Sequence, residues 1–89
     1  MVFWPRTRIR IRVKLFTGLH REVGLNDYDP EAGIEMDIRK GARIRTVARR
    51  LGLPGGGRVA FFVGGERAGP WHKLRDGDEL ACMKPSAGG

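Results

Sequence analysis

Regular patterning begins at Arg8, where Ile9, Ile11, Val13 and Leu15 alternate with Arg8, Arg10, Arg12 and Lys14. A period of two sends successive side chains to opposite faces of an extended backbone, so this stretch reads as a strand with one buried and one wet face. Gly18 and Gly24 bracket Leu19 to Val23, a turn or single helical turn, and the Asn-, Asp-, Pro- and Gly-bearing stretch 26–33 is loop. Alternation returns at Ile34, Met36 and Ile38 against Glu35, Asp37 and Arg39, which predicts a second strand pairing with the first as a hairpin. The period then changes. Ile44, Val47, Ala48 and Leu51 fall at i, i+3, i+4 and i+7, the apolar stripe of a short helix whose other faces carry Arg43, Arg45, Arg49 and Arg50. Gly52 is placed to take the left-handed conformation that closes such a helix, and Pro54 stops its continuation. Two to three turns do not hold in water alone, so the helix must lie on the sheet.

Past the Gly55-Gly56-Gly57 connector, Val59 to Val63 is a near-continuous apolar run, as expected of an interior strand. Gly64-Gly65 turns the chain into a short return strand, Glu66 to Ala68, which Gly69-Pro70 breaks. Trp71 and Leu74 read as core plugs, Asp76-Gly77-Asp78 as a tight turn, and Glu79 to Met83 as the last strand before Pro85. One amphipathic helix covering one face of a mixed sheet of four to five strands gives a two-layer α+β domain. Its expected extent is 8–83, after an N-terminal extension, 1–7, and before a flexible tail, 84–89, that spans about 20 Å when extended.

Composition narrows the classes. Eighty-nine residues make one small domain, no apolar run approaches a membrane span, and no apolar segment follows the N-terminal arginines as a secretory signal requires. A single cysteine, Cys82, excludes an internal disulfide and fits a reducing compartment, so a cytoplasmic protein is expected, with Cys82 a small core hydrophobe. His20 and His72 have no spaced ligand set around them, and the glycine runs lack the Gly-Lys-Ser/Thr ending of a phosphate loop, so neither a metal nor a bound nucleotide is expected. The net charge of +7 suits nucleic acid, an anionic surface or acidic partner proteins alike. Its two clusters, Arg6 to Lys14 and Arg39 to Arg50, have no aromatic residues interleaved as base-stacking platforms, which leaves nucleic acid the least supported of these.

The candidate chemistry sits at Pro85-Ser86-Ala87-Gly88-Gly89. Two residues without side chains beside an α-carboxylate fit a narrow channel, so the reaction expected is one performed on Gly89 by another protein. Leu74-Arg75-Asp76-Gly77-Asp78-Glu79-Leu80 followed by this tail resembles the end of the β-grasp sulfur-carrier family (MoaD/ThiS type), which includes the molybdopterin synthase small subunit and the sulfur carrier of thiamine synthesis. Val13 to Phe16 with Leu19 to Gly24, and Arg43 to Val47 with Leu51 to Pro54, resemble that family's first strand and turn and its helix and exit.

The resemblance implies a ubiquitin-like β-grasp fold and a carrier with no catalytic residue and no stably bound cofactor of its own. A ubiquitin-activating-type enzyme would spend ATP to adenylate Gly89. Sulfur would replace AMP to leave a thiocarboxylate, and a synthase large subunit would accept the tail that Gly88 allows to thread. Molybdopterin cofactor synthesis is the first expectation, with thiamine or another sulfur metabolite, or a ubiquitin-like protein modifier, as alternatives. A basic nucleic-acid-binding β-grasp module is the alternative of a different class. Arg8, Arg10, Arg12 and Lys14 are candidate docking residues or simply a solvated strand face, and Met83 with Ala81 is a candidate apolar contact. Three features depart from the family: the high positive charge, Gly64-Gly65-Glu66 in place of an Asn-Gly turn, and the extension carrying Phe3 and Trp4.

Overall fold

The alternating stretches do form strands, and the stripe of i, i+3, i+4 residues does form a helix. A computed structural model describes residues 7–85, in the order β1 (Arg8–Leu15), α1 (Leu19–Glu22), β2 (Ile34–Arg39), α2 (Ile44–Leu51), β3 (Ala60–Val63), β4 (Glu66–Ala68) and β5 (Glu79–Met83). The five strands make one mixed sheet in the order β2-β1-β5-β3-β4. β1 pairs antiparallel with β2, from Arg8↔Arg39 to Val13↔Ile34, and parallel with β5, from Arg12↔Glu79 to Leu15↔Cys82. β3 lies antiparallel between β5 and β4. The first and last strands of the chain are thus neighbours at the heart of the sheet.

Ile11, Val13 and Leu15 of β1, Met36 and Ile38 of β2, Phe61 of β3 and Leu80 and Cys82 of β5 all turn to one face, where they meet Ile44, Val47 and Ala48 of α2 and form the core with Leu19, Leu53 and Leu74. No polar or charged residue is buried among the described residues. Helix α2 ends as its sequence requires, at Gly52 with φ 77°, whose N–H and that of Leu53 bond back to Arg49 and Ala48 carbonyls. Its start has no side-chain cap. The N–H groups of Ile44 and Arg45 are satisfied by the carbonyls of His72 and Pro70 instead, and the guanidinium of Arg43 donates to the carbonyl of Trp71.

That arrangement corrects one expectation. Leu74 is a core residue, but Trp71 is 61% exposed. The 70–72 backbone turns its carbonyls to the start of α2, and the indole is left outside, against the guanidinium of Arg45 at 4.3 Å from the ring centroid. The apolar run 59–63 also splits: Val59 and Phe61 join the core, whereas Ala60 and Phe62 turn to the other face of the sheet.

Candidate functional site

The tail leaves the body at the end of β5, and the geometry there is built from three chain segments. Leu15, the last residue of β1, lies opposite Cys82, and Phe16 N–H bonds the carbonyl of Cys82 at 2.8 Å. Thr17 then takes a positive φ of 57°, uncommon for a β-branched residue. This turn aims its hydroxyl at the departing strand: it donates to the carbonyl of Phe16 at 2.6 Å and accepts the N–H of Lys84 at 2.8 Å. The ammonium of Lys84 pairs with the carboxylate of Glu22 in α1. The chain is therefore held through Lys84, one residue before Pro85 removes any further N–H donor.

Around this exit, the sheet face opposite α2 has no element laid over it among the described residues, and it is divided in two. Ala81 and Met83 of β5 face outward, aligned with Phe62 and Ala60 of β3, and exposed Phe16 stands at the neighbouring end of β1. Arg67 covers Phe62 from β4 at 5.8 Å from its ring centroid. Toward β2 the face is ionic. Arg12 bonds Glu35 at 2.8 Å, and Arg10 bonds Asp37 at 3.0 Å and lies 3.7 Å from Glu35. The hydrogen bond to Asp37, with the charges of Asp37 and Glu35, raises the Arg10 pKa above its ordinary value. Arg8 and Lys14 share the face but form no ion pair among the described residues.

The turn before β5 fixes how the exit is presented. Asp76 accepts the N–H of Arg10 through Oδ1 at 2.8 Å, Gly77 N–H bonds the Arg10 carbonyl at 2.8 Å, and Arg12 N–H bonds the Asp78 carbonyl at 2.9 Å. Asp78 Oδ2 closes the turn on the N–H of Arg75 at 2.8 Å. The Asp-Gly-Asp turn is stitched to β1, and this stitching sets the parallel register that brings Met83 beside Phe16.

No protein-family model matches the sequence, and no curated protein matches it. Solved structures do. A Pyrococcus furiosus protein described as molybdopterin converting factor subunit 1 superposes with a TM-score of 0.67 over 88% of this chain and 99% of its own, at 20% identity. Small archaeal modifier protein 1 of Haloferax volcanii gives the same TM-score of 0.67 over 88% and 99%, at 18% identity. A ubiquitin of Caldiarchaeum subterraneum gives 0.52 over 92% and 99%, at 16% identity. The chain has the ubiquitin-like β-grasp fold. The sheet, the helix laid on one face and the strand order of this β-grasp protein agree with the α+β architecture that its sequence predicts.

The β-grasp frame brings Arg8, Arg10, Arg12, Lys14 and Met83 onto one sheet face. Gly88 and Gly89 lie outside the described residues, as do Phe3 and Trp4. Cys82 turns inward and is fully buried, on the side away from Met83. No helix of the described residues is long and apolar enough to cross a membrane, and no group of three or more His, Cys, Asp or Glu gathers there as metal ligands would. Sequence reasoning missed Thr17, whose side chain holds the exit, and the pairing of Phe62 with Ala81 across β3 and β5. Phe62 was legible only as one residue of an apolar run, because a continuous run does not show which member faces out.

Proposed function

We propose that this chain is a sulfur carrier in molybdopterin cofactor biosynthesis, working in a reducing cytoplasm, with Gly89 as the site of chemistry and Gly88 as the residue that lets the tail thread. The observation that carries this reading is the exit of β5. An apolar patch of Phe16, Phe62, Ala81 and Met83 stands beside the place where the tail departs, and the chain is held there as far as Lys84. A partner seated on that patch would meet the tail at a defined origin. The five residues 85–89 span at most about 18 Å from it when extended. Arg8, Arg10, Arg12 and Lys14 flank the patch and would contact acidic groups at the partner's rim, chiefly raising the association rate.

The chemistry belongs to the partners. A carboxylate is a poor electrophile, so an adenylating enzyme first joins Gly89 to AMP with release of pyrophosphate. The terminal sulfur of a donor persulfide then displaces AMP to give an acyl disulfide. A second thiol of the donor cleaves its S–S bond, which frees the thiocarboxylate and leaves a disulfide on the donor. The thiocarboxylate delivers sulfur to a precursor bound on the synthase large subunit, with the Gly89 carboxylate returned. This chain supplies no acid, base or bound cofactor in these steps, and the ATP is the activating enzyme's.

A second reading, conjugation of Gly89 to lysines as a ubiquitin-like modifier, is favoured by the likeness to small archaeal modifier protein 1. It begins with the same adenylation. The two part at the second step, and intact mass of the protein from its native cells, with sequencing of its C-terminal peptide, tells them apart. Replacement of one Gly89 oxygen by sulfur is expected, and deletion of Gly89 should abolish it without changing the fold. Isopeptide adducts with no thiocarboxylate would favour the modifier. A Gly89 inert to ATP, a sulfur donor and the cell's own adenylating enzyme would overturn both.

A further inference from the structure

The positive charge of this protein is unevenly paired. On the open sheet face, Arg10 and Arg12 are tied to Glu35 and Asp37. On the helix side, Arg43, Arg45 and Arg49 form no ion pair among the described residues. Unpaired positive charge therefore stands on the helix side as well as at Arg8 and Lys14 of the open face.

That side also carries a cleft. It lies between α2, the 53–57 turn and Pro70, has a volume of about 270 Å³, and is floored by Ala48, Leu53, Val59 and Phe61. Arg45 and Arg49 line it, and exposed Trp71 lies beyond Arg45, which rests on its ring. The cleft falls below the size of a small-molecule site and suits a single apolar side chain. Its floor residues present no side-chain donor or acceptor, whereas its two guanidiniums are forks for carboxylates.

We propose that this cleft is a second interaction surface that takes an acidic segment of a partner protein, with one apolar side chain in the cleft and flanking carboxylates on Arg45 and Arg49. The proposal goes beyond the carrier reading and does not depend on Gly89. Charge complementarity requires an anionic occupant, and the apolar floor decides between a peptide and a nucleic acid. A base in the cleft would leave its polar edge unpaired, at a cost a leucine or phenylalanine side chain does not incur. The aromatic platform beside the cleft, Trp71, already has a ring face covered by Arg45. Nucleic-acid binding wants several open stacking faces in a row.

The test uses the isotopically labelled full chain and three probes: a short Asp- and Glu-rich peptide with one central leucine, the same peptide with serine in its place, and oligothymidylate. The leucine peptide should bind and shift the amides of Arg45, Arg49, Leu53 and Val59 and the indole of Trp71. The serine peptide should bind about tenfold more weakly, the worth of one buried leucine side chain. Arg49→Glu and Gly55→Glu should each weaken the leucine peptide several-fold. Both changes suit the fold: Arg49 is exposed, and a Cβ at Gly55 meets nothing within 4 Å. Removing Gly88 and Gly89 should leave binding unchanged. Tighter binding of oligothymidylate, equal binding of the two peptides, shifts confined to the open sheet face, or no binding at millimolar peptide would each overturn the proposal.

Discussion

Cys82 sits mid-sheet in β5, opposite Leu15 on one side and Phe61 on the other, with no surface exposed to water. Burial strips a thiolate of hydration and offers it no positive neighbour, so the thiol is pushed up from 9.0 to about 12. The thiolate is the form that attacks alkylating agents and persulfides. Cys82 should therefore resist iodoacetamide at neutral pH in the folded protein and react readily in urea, as mass spectrometry would show. The same shift couples to stability. The folded state holds the thiol proton more tightly than the unfolded chain, so this contribution is complete below pH 9.0 and is lost as the pH rises through about 12. Between neutral pH and about pH 10.5 the native protein should lose about 2 kcal/mol more stability than Cys82→Ala, measured by urea unfolding at both pH values. That the residue is a core hydrophobe was legible from its lone place on an apolar strand. How completely it is sealed depends on β1 and β3, which lie far off in the chain.

Among the elements, the turn at Asp76-Gly77-Asp78 does most to position the exit, because it binds the start of β5 to β1 before the parallel ladder begins. Gly77 has φ 85°, which an alanine adopts at a cost of about 1–2 kcal/mol. Asp76→Ala, which frees the Arg10 N–H at an exposed site, should cost about 1 kcal/mol. The double variant should lose less than the sum of the two single costs, because both loosen one turn. Urea midpoints with an unchanged m-value would check this. The sequence identified this turn, both ladders of alternation, the closing glycine of α2 and the order of all the elements, since each is a local matter of period or backbone conformation. It did not identify what the turn holds. Nor did it identify the outward Trp71, whose place follows from three carbonyls meeting the start of α2 across 25 or so intervening residues. Thr17 was silent for the same reason: a threonine after a strand carries no mark of the Lys84 N–H that it will accept.

At the scale of the whole molecule, the two faces differ in character. One offers an apolar patch at the tail's origin with Arg10 and Arg12 tied to carboxylates, and the other offers Arg45 and Arg49 beside an apolar cleft. Bulk charge could not reveal this division, because it arises from which strand stands beside which. The parallel pairing of β1 with β5 has a mechanical consequence. Arg8 and Met83 stand at opposite ends of two adjoining parallel strands. Tension applied between those points slides one strand along the other and loads the ladder bonds together. Tension between Arg8 and Arg39, which face each other at one end of an antiparallel pair, opens the bonds one at a time. Single-molecule pulling through residues 8 and 84 should therefore need a several-fold higher rupture force than pulling through residues 8 and 39. A partner that draws the tail into a channel hauls on β5 along its own axis, in the direction in which this sheet yields least.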